Sequence, residues 1–156
     1  MPGTVLLADD HDVMRDILES FLQKKGYTVV ASTNHGSNVV SLLEQHEPDL
    51  LILDLTMPGR NGLEVLKDLS SREYQTRIIV LTTHSEPAYV KVAFTRGADA
   101  YVIKGSHVRD LSAAIEKVEN GERFLSASVQ EAMQSTPTTS TARSTDEKQP
   151  RRNRAQ

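Results

Sequence analysis

Short runs of consecutive apolar residues alternate along this chain with longer stretches whose apolar residues recur every three or four positions. The first run is Val5-Leu6-Leu7-Ala8. A helical stretch follows with Val13, Ile17, Leu18, Phe21 and Leu22 on one face, the spacing of a stripe laid against a sheet. Asp12 is placed to cap that helix, and Gly26, beside Lys24 and Lys25, to stop it. Tyr27–Ala31 reads as a second strand, and a helix near Ser37–Gln45 turns Val39, Val40 and Leu43 inward. Pro48 opens the third strand, Leu50-Leu51-Ile52-Leu53, and Asn61-Gly62 marks the turn into a helix carrying Leu63, Leu66 and Leu69. Ile78–Leu81 is the fourth strand, and Pro87 suits the first turn of a helix that ends near Arg96-Gly97. Ala100–Ile103 is the fifth strand; the last long helix buries Leu111, Ala114, Ile115 and Val118, and a short helix over Ala127–Gln134 follows the turn at Gly121. Five strands alternating with five helices predict an α/β fold, a doubly wound five-stranded parallel sheet. The continuous apolar runs suit a sheet covered on both faces.

The chain's 156 residues fit one domain comfortably. Beyond Gln134 the pattern stops: residues 135–156 are rich in Ser, Thr, Pro and charge and hold no Leu, Ile, Val, Phe or Tyr. Such a stretch cannot bury enough apolar surface to offset the entropy of ordering. The expected organisation is a folded domain over residues 1–125, then over 126–156 a short helix and a disordered, basic tail or truncated linker. The tail carries five basic and two acidic residues, so residues 1–134 sum to −6 within a chain of net −3. An acidic domain is a poor start for binding nucleic acid by charge, and the short cluster Arg151-Arg152-Asn153-Arg154 reads as solvated. With no cysteine, disulfides, thiolate metal sites and cysteine nucleophiles are excluded. No secretory start and no apolar run near the roughly 20 residues of a membrane helix is present, so the expectation is a cytoplasmic protein without a membrane partner.

The candidate chemistry lies where the strands run out. Asp9 and Asp10 follow the first strand, Asp54 the third, Thr82 the fourth and Lys104 the fifth. Open α/β sheets build their sites at these carboxyl ends. In the strand order 2-1-3-4-5 the first and third strands are neighbours, which sets Asp9 and Asp10 beside Asp54. Clustered carboxylates repel, so they share a proton or hold a cation. A hard divalent ion suits oxygen ligands, and Mg²⁺ (or Mn²⁺) is the usual choice when a phosphoryl group shares the site. Lys104 can then balance a phosphoryl oxygen and the Thr82 hydroxyl can donate to another. Phosphoryl transfer is mostly positioning and charge stabilisation, and a carboxylate is an acceptable nucleophile. Asp54 fits that role, standing between the metal side and the lysine side.

These residues resemble the receiver domain of a bacterial two-component response regulator. The matching segments are Leu6-Leu7-Ala8-Asp9-Asp10-His11, Leu53-Asp54-Leu55-Thr56-Met57-Pro58-Gly59, Leu81-Thr82-Thr83, and Gly97 to Lys104. The run Asn120 to Ser126 further resembles the segment closing receivers of the NarL/FixJ (LuxR) type. The resemblance implies the flavodoxin-like, CheY-like form of the fold. It implies that Asp54 accepts a phosphoryl group from a sensor histidine kinase or a histidine phosphotransfer protein. Mg²⁺ would be bound by Asp10, Asp54 and the Thr56 carbonyl, with Asp9 acting mainly through water. Lys104 and Thr82 would hold phosphoryl oxygens. Tyr101 would turn inward as Thr82 moves and alter the face of the fourth helix, fifth strand and fifth helix. Thr56 and His84 would set how long the acyl phosphate lasts. The protein would be a self-phosphorylating acceptor with slow dephosphorylation of its own, not a turnover enzyme.

Other classes fit less well. A haloacid dehalogenase phosphatase needs a second acid two residues after its nucleophile, where this chain has Thr56. A flavodoxin cradles phosphate in its first loop, which here is Asp9-Asp10-His11-Asp12, and a dinucleotide-binding fold would need glycines there. His11 reads as a solvated loop residue, because a histidine ligand to Mg²⁺ is atypical. Gly105 stands where many receivers carry Pro, Ala or an acidic residue. Three outputs stay open: a free-standing receiver acting by protein contact, the receiver part of a longer NarL-type DNA-binding regulator, and a pseudo-receiver that binds without phosphorylation. No DNA contact is expected from the residues present, and a monomer that self-associates into a homodimer on phosphorylation is expected.

Overall fold

A computed structural model describes residues 3–105 and 108–134; the tail over residues 135–156 lies outside them. In chain order the elements are β1 (Thr4–Ala8), α1 (Asp12–Lys24), β2 (Thr28–Thr33), a 3₁₀ turn (Gly36–Asn38), α2 (Val39–His46) and β3 (Leu50–Leu53). They continue with α3 (Gly62–Ser70), β4 (Arg77–Thr82), α4 (Pro87–Thr95), β5 (Ala100–Ile103), α5 (Val108–Glu119), β6 (Phe124–Leu125) and α6 (Ala127–Gln134). The strands are all parallel in the order β2-β1-β3-β4-β5-β6. The five predicted strands hold their predicted order, and a sixth joins the β5 edge. Its two residues pair with Ala100 and Tyr101, too short a stretch to carry a periodic signal.

Because neighbouring strand residues point to opposite faces, each strand supplies both layers of the core. Leu6, Leu51, Leu53, Ile78, Val80 and Tyr101 face α2, α3, α4 and α6. Val5, Leu7, Leu50, Ile52, Ile79 and Val102 face α1 and α5. Each fully buried Leu or Ile contributes about 1.5–3 kcal/mol relative to exposure. α5 buries all four residues predicted for it. α6 packs its Val129, fully buried, into the α2–α4 layer. Ser126 fastens the entry to that helix: its N–H donates to the Tyr101 carbonyl at 3.0 Å, and its hydroxyl accepts from the Ile103 N–H at 3.1 Å.

α1 departs from its predicted stripe. Leu18 and Leu22 are buried, but Val13 and Ile17 are 71% and 52% exposed. The inward row is Met14, Leu18, Phe21 and Leu22; Ile17 lies about 40° beyond Phe21 at the edge of that row, and Val13 about 100° round the helix from Met14. Asp12 is the first helical residue and His11 the cap position, so Asp12 contributes its charge to the first turn rather than a capping side chain. By contrast Asn61 forms a full capping box with Glu64 at the start of α3. Gly62 inside that turn has no room for a side chain, since a Cβ would stand 2.6 Å from the Asp54 carbonyl oxygen and 2.7 Å from Leu55 Cα. The absent side chain lets α3 press against the backbone that carries Asp54.

Candidate functional site

Sheet registry gathers the carboxylates. Ala8 pairs with Leu53 at the ends of β1 and β3, and the chain continues the ladder one step further on each side. The Asp9 N–H donates to the Thr33 carbonyl at 3.0 Å, and the Asp54 N–H donates to the Ala8 carbonyl at 2.9 Å. Lys104 is fixed in the same way, its N–H donating to the Thr82 carbonyl at 2.7 Å. Gly105 follows with φ +88° and open space around it, the left-handed backbone that glycine adopts without strain.

Lys104 Nζ sits between two buried carboxylates, 2.8 Å from Asp9 Oδ2 and 2.8 Å from Asp54 Oδ2. Burial alone would lower the pKa of this ammonium; its hydrogen bonds to Asp54 and Asp9 outweigh that and raise it above the ordinary lysine value. Asp10 is the unsatisfied member. Its Oδ1 is buried without a hydrogen-bond partner, although the His11 ring nitrogen Nδ1 lies 3.3 Å away in poor alignment. His11 Nδ1 is also 3.2 Å from Asp9 Oδ1 and 3.0 Å from Lys104 Nζ. His11 is solvent-exposed as expected, yet it belongs to the cluster, and the sequence signal for that was its place directly after two aspartates. One ligand atom each from Asp9, Asp10, His11 and Asp54 lies within 4.8 Å of the others. Three carboxylates and one ammonium leave a charge of −2 before His11 is counted. An orphaned buried oxygen, hard oxygen donors and a residual charge of that sign fit a divalent cation.

The other flank of Asp54 is built from hydroxyls, an imidazole and aromatic rings. Asp54 Oδ1 accepts from the Thr56 N–H at 3.2 Å. Thr56 Oγ1 and His84 Nε2 are 2.8 Å apart, and the His84 ring stacks on Tyr89 with centroids 4.5 Å apart and planes 24° from parallel. The His84 N–H reaches the Thr82 hydroxyl at 3.4 Å, and its carbonyl accepts from the Tyr101 hydroxyl at 2.7 Å. Tyr101 is fully buried. That burial, with the nearby charge of Glu86, Tyr89 and Asp54, pushes its phenol pKa well up, so the hydroxyl stays a donor. The structure thus brings Asp9, Asp10, Asp54 and Lys104 together at one point, and Thr56, Thr82, His84 and Tyr101 at an adjoining one. Tyr89 joins the site through a contact that crosses a loop, so no helical period marks it in the sequence.

Residues 5–116 match the family model of the response regulator receiver domain. The chain belongs to that family. It is 37% identical over 126 residues to the nitrate/nitrite response regulator protein NarL of Escherichia coli K12, covering 80% of this chain and 58% of NarL. It is 35% identical over 127 residues to the transcriptional regulatory protein PdtaR of Mycobacterium tuberculosis, covering 81% of this chain and 62% of PdtaR. The chain therefore spans about three-fifths of the curated relatives' length. A LuxR-family two-component response regulator from Aurantimonas sp. SI85-9A1 superposes with a TM-score of 0.79 at 30% identity, over 84% of this chain and 94% of that one. The isolated receiver domain of RcsB from Salmonella enterica serovar Typhimurium, in the presence of the phosphomimetic BeF₃⁻, gives 0.75 at 27% identity, over 84% and 98%. This is a receiver domain of the NarL/LuxR type. Receivers of the family typically bind Mg²⁺ at an acidic pocket, interact with histidine kinases, and are generally not turnover enzymes; some homodimerise. Among the described residues of this receiver, no helix is long and apolar enough to cross a membrane.

Proposed function

We propose that this receiver accepts a phosphoryl group on Asp54 from a phosphohistidine of a sensor kinase or phosphotransfer protein. The observation that carries the reading is the buried Asp9–Lys104–Asp54 bridge beside an Asp10 oxygen with no partner. Asp10, Asp54 and the Thr56 carbonyl would hold Mg²⁺, with Asp9 acting mainly through water. When bound, the ion would neutralise charge on the phosphoryl oxygens and so lower the barrier to transfer. Asp54 attacks phosphorus through a carboxylate oxygen, and the bond to the donor nitrogen breaks. Lys104 then exchanges one of its carboxylate contacts for a phosphoryl oxygen, and Thr82 donates its hydroxyl to another. Movement of Thr82 reaches Tyr101 through His84, whose N–H and carbonyl touch them both, and this biases the α4–β5–α5 face between two states.

In this reading residues 1–125 form the receiver, a phosphoacceptor with its own slow dephosphorylation rather than a turnover enzyme. The same switch serves either output, contact by a free-standing receiver or control of a DNA-binding part in a longer chain. Intact mass after incubation with acetyl phosphate tests it. The expected result is one phosphoryl adduct that needs Mg²⁺ and is missing in Asp54→Ala. A folded parent that takes no adduct would leave a pseudo-receiver that signals by binding alone.

A further inference from the structure

We propose that Tyr89 is a positioning residue for the lifetime of the acyl phosphate: by stacking on His84 it holds the imidazole against Thr56, over the mouth of the Asp54 pocket. The inference rests on the reading of Asp54 as the phosphoacceptor. Three contacts place the lid. The Thr56 backbone N–H is tied to Asp54 Oδ1, the Thr56 hydroxyl meets the ring edge of His84 at Nε2, and one face of the His84 ring is met by the Tyr89 ring. Tyr89 can anchor the stack because it sits in the first turn of α4, where its N–H donates to the Glu86 carbonyl at 3.0 Å, and because it packs on the core layer that holds Tyr101. The rest of the His84 ring has little to fix it, since Glu86 Oε1 is 3.7 Å from Nδ1 and itself exposed.

Hydrolysis of the acyl phosphate needs a water oxygen to attack phosphorus while the bond to the Asp54 oxygen breaks. The electron pair returns to the carboxylate, and inorganic phosphate and a proton leave. A Thr56–His84 pair held closed restricts that water, and a His84 free to swing admits it. Aromatic stacks of this kind bias an equilibrium by roughly three- to tenfold.

The test follows loss of label from phosphorylated protein after the donor is removed, in the parent, Tyr89→Leu, Tyr89→Phe, His84→Ala and the double variant Y89L/H84A. The His84 ring-proton NMR shift reports the stack independently of turnover. Tyr89→Leu is expected to hydrolyse roughly three- to tenfold faster and to lose the ring-current shift, while Tyr89→Phe keeps the parent's rate and shift. In the His84→Ala background, Tyr89→Leu adds nothing. Unchanged hydrolysis in a Tyr89→Leu protein that has lost the shift overturns the proposal. So does an equal acceleration in Tyr89→Phe, or a further acceleration in the double variant. A parent that never takes label removes the phosphoacceptor reading and this one together, whereas normal labelling with equal lifetimes removes this one alone.

Discussion

The two flanks of Asp54 are held by opposite kinds of force. On one side Asp9, Asp10 and Lys104 crowd buried charge into a space where one ammonium serves three carboxylates. On the other, the hydroxyl flank, Thr56, His84, Tyr89 and Tyr101 are joined by hydroxyl hydrogen bonds and a ring stack. The charged flank fits a cation, because repulsion between like charges is only partly answered inside the protein. The hydroxyl flank pairs its Thr56 and Tyr101 hydroxyls within the protein. In the proposed reading, the residues that would hold an ion are thus separated from those that would time and transmit the phosphoryl signal. Changes on the charged flank should take either sign according to the charge removed, whereas those on the hydroxyl flank should only cost stability, and less of it.

Lys104→Ala should have the largest effect. It strips the shared cation from Asp9 and Asp54 and leaves buried charge uncompensated, at a cost of about 3–5 kcal/mol, read from urea denaturation. A loss below about 1 kcal/mol would mean that solvent already screens the pocket. Asp10→Asn should act the other way. Removing one of three crowded carboxylates should stabilise the metal-free domain by about 1 kcal/mol and abolish the rise in melting temperature that Mg²⁺ gives the parent. Destabilisation with the Mg²⁺ response intact would contradict the assignment of Asp10 to the ion. Tyr101→Phe removes only a neutral bond to the His84 carbonyl and should cost about 1 kcal/mol while leaving Asp54 labelling in place. Smallest of all, Val13→Thr and Ile17→Thr should each change stability by less than about 0.5 kcal/mol, because both side chains face solvent; a loss near the 2–5 kcal/mol of a buried Leu→Ala change would return them to the core.

The Lys104 pKa fixes a pH window. Its folded value is raised, so its stabilising contribution is complete below the unfolded lysine value of about 10.4 and is lost as pH rises through the folded value. The loss of the ammonium should therefore weaken the Lys104 bridges in strong alkali and not near neutrality. Stability measured across that alkaline range should fall more steeply in the parent than in Lys104→Ala.

The fold was largely legible in the sequence because each strand is an uninterrupted apolar run and each turn carries its own chemistry. Ala100–Ile103 and Ala127–Gln134 have the bounds the pattern predicts. The pattern overreached at α1, where Val13 and Ile17 lie close enough to the inward row to look like part of it. It was silent on β6, whose two residues join the sheet through backbone bonds that any side chain permits. Within the candidate site, the charged flank was legible because Asp9, Asp10, Asp54 and Lys104 each end a strand, and topology alone brings them together. The hydroxyl flank was legible only in its members. That His84 touches Thr56, Tyr89 and Tyr101 at once depends on how the loop after β4 folds, which no periodicity encodes.

The most direct measurement locates the phosphoryl group. Protein incubated with Mg²⁺ and acetyl phosphate, reduced with borohydride to convert the acyl phosphate to homoserine, and mapped by peptide mass spectrometry should carry the change at residue 54, with Asp9 and Asp10 untouched. Modification at Asp9 or Asp10, or none anywhere in folded protein, would contradict the account.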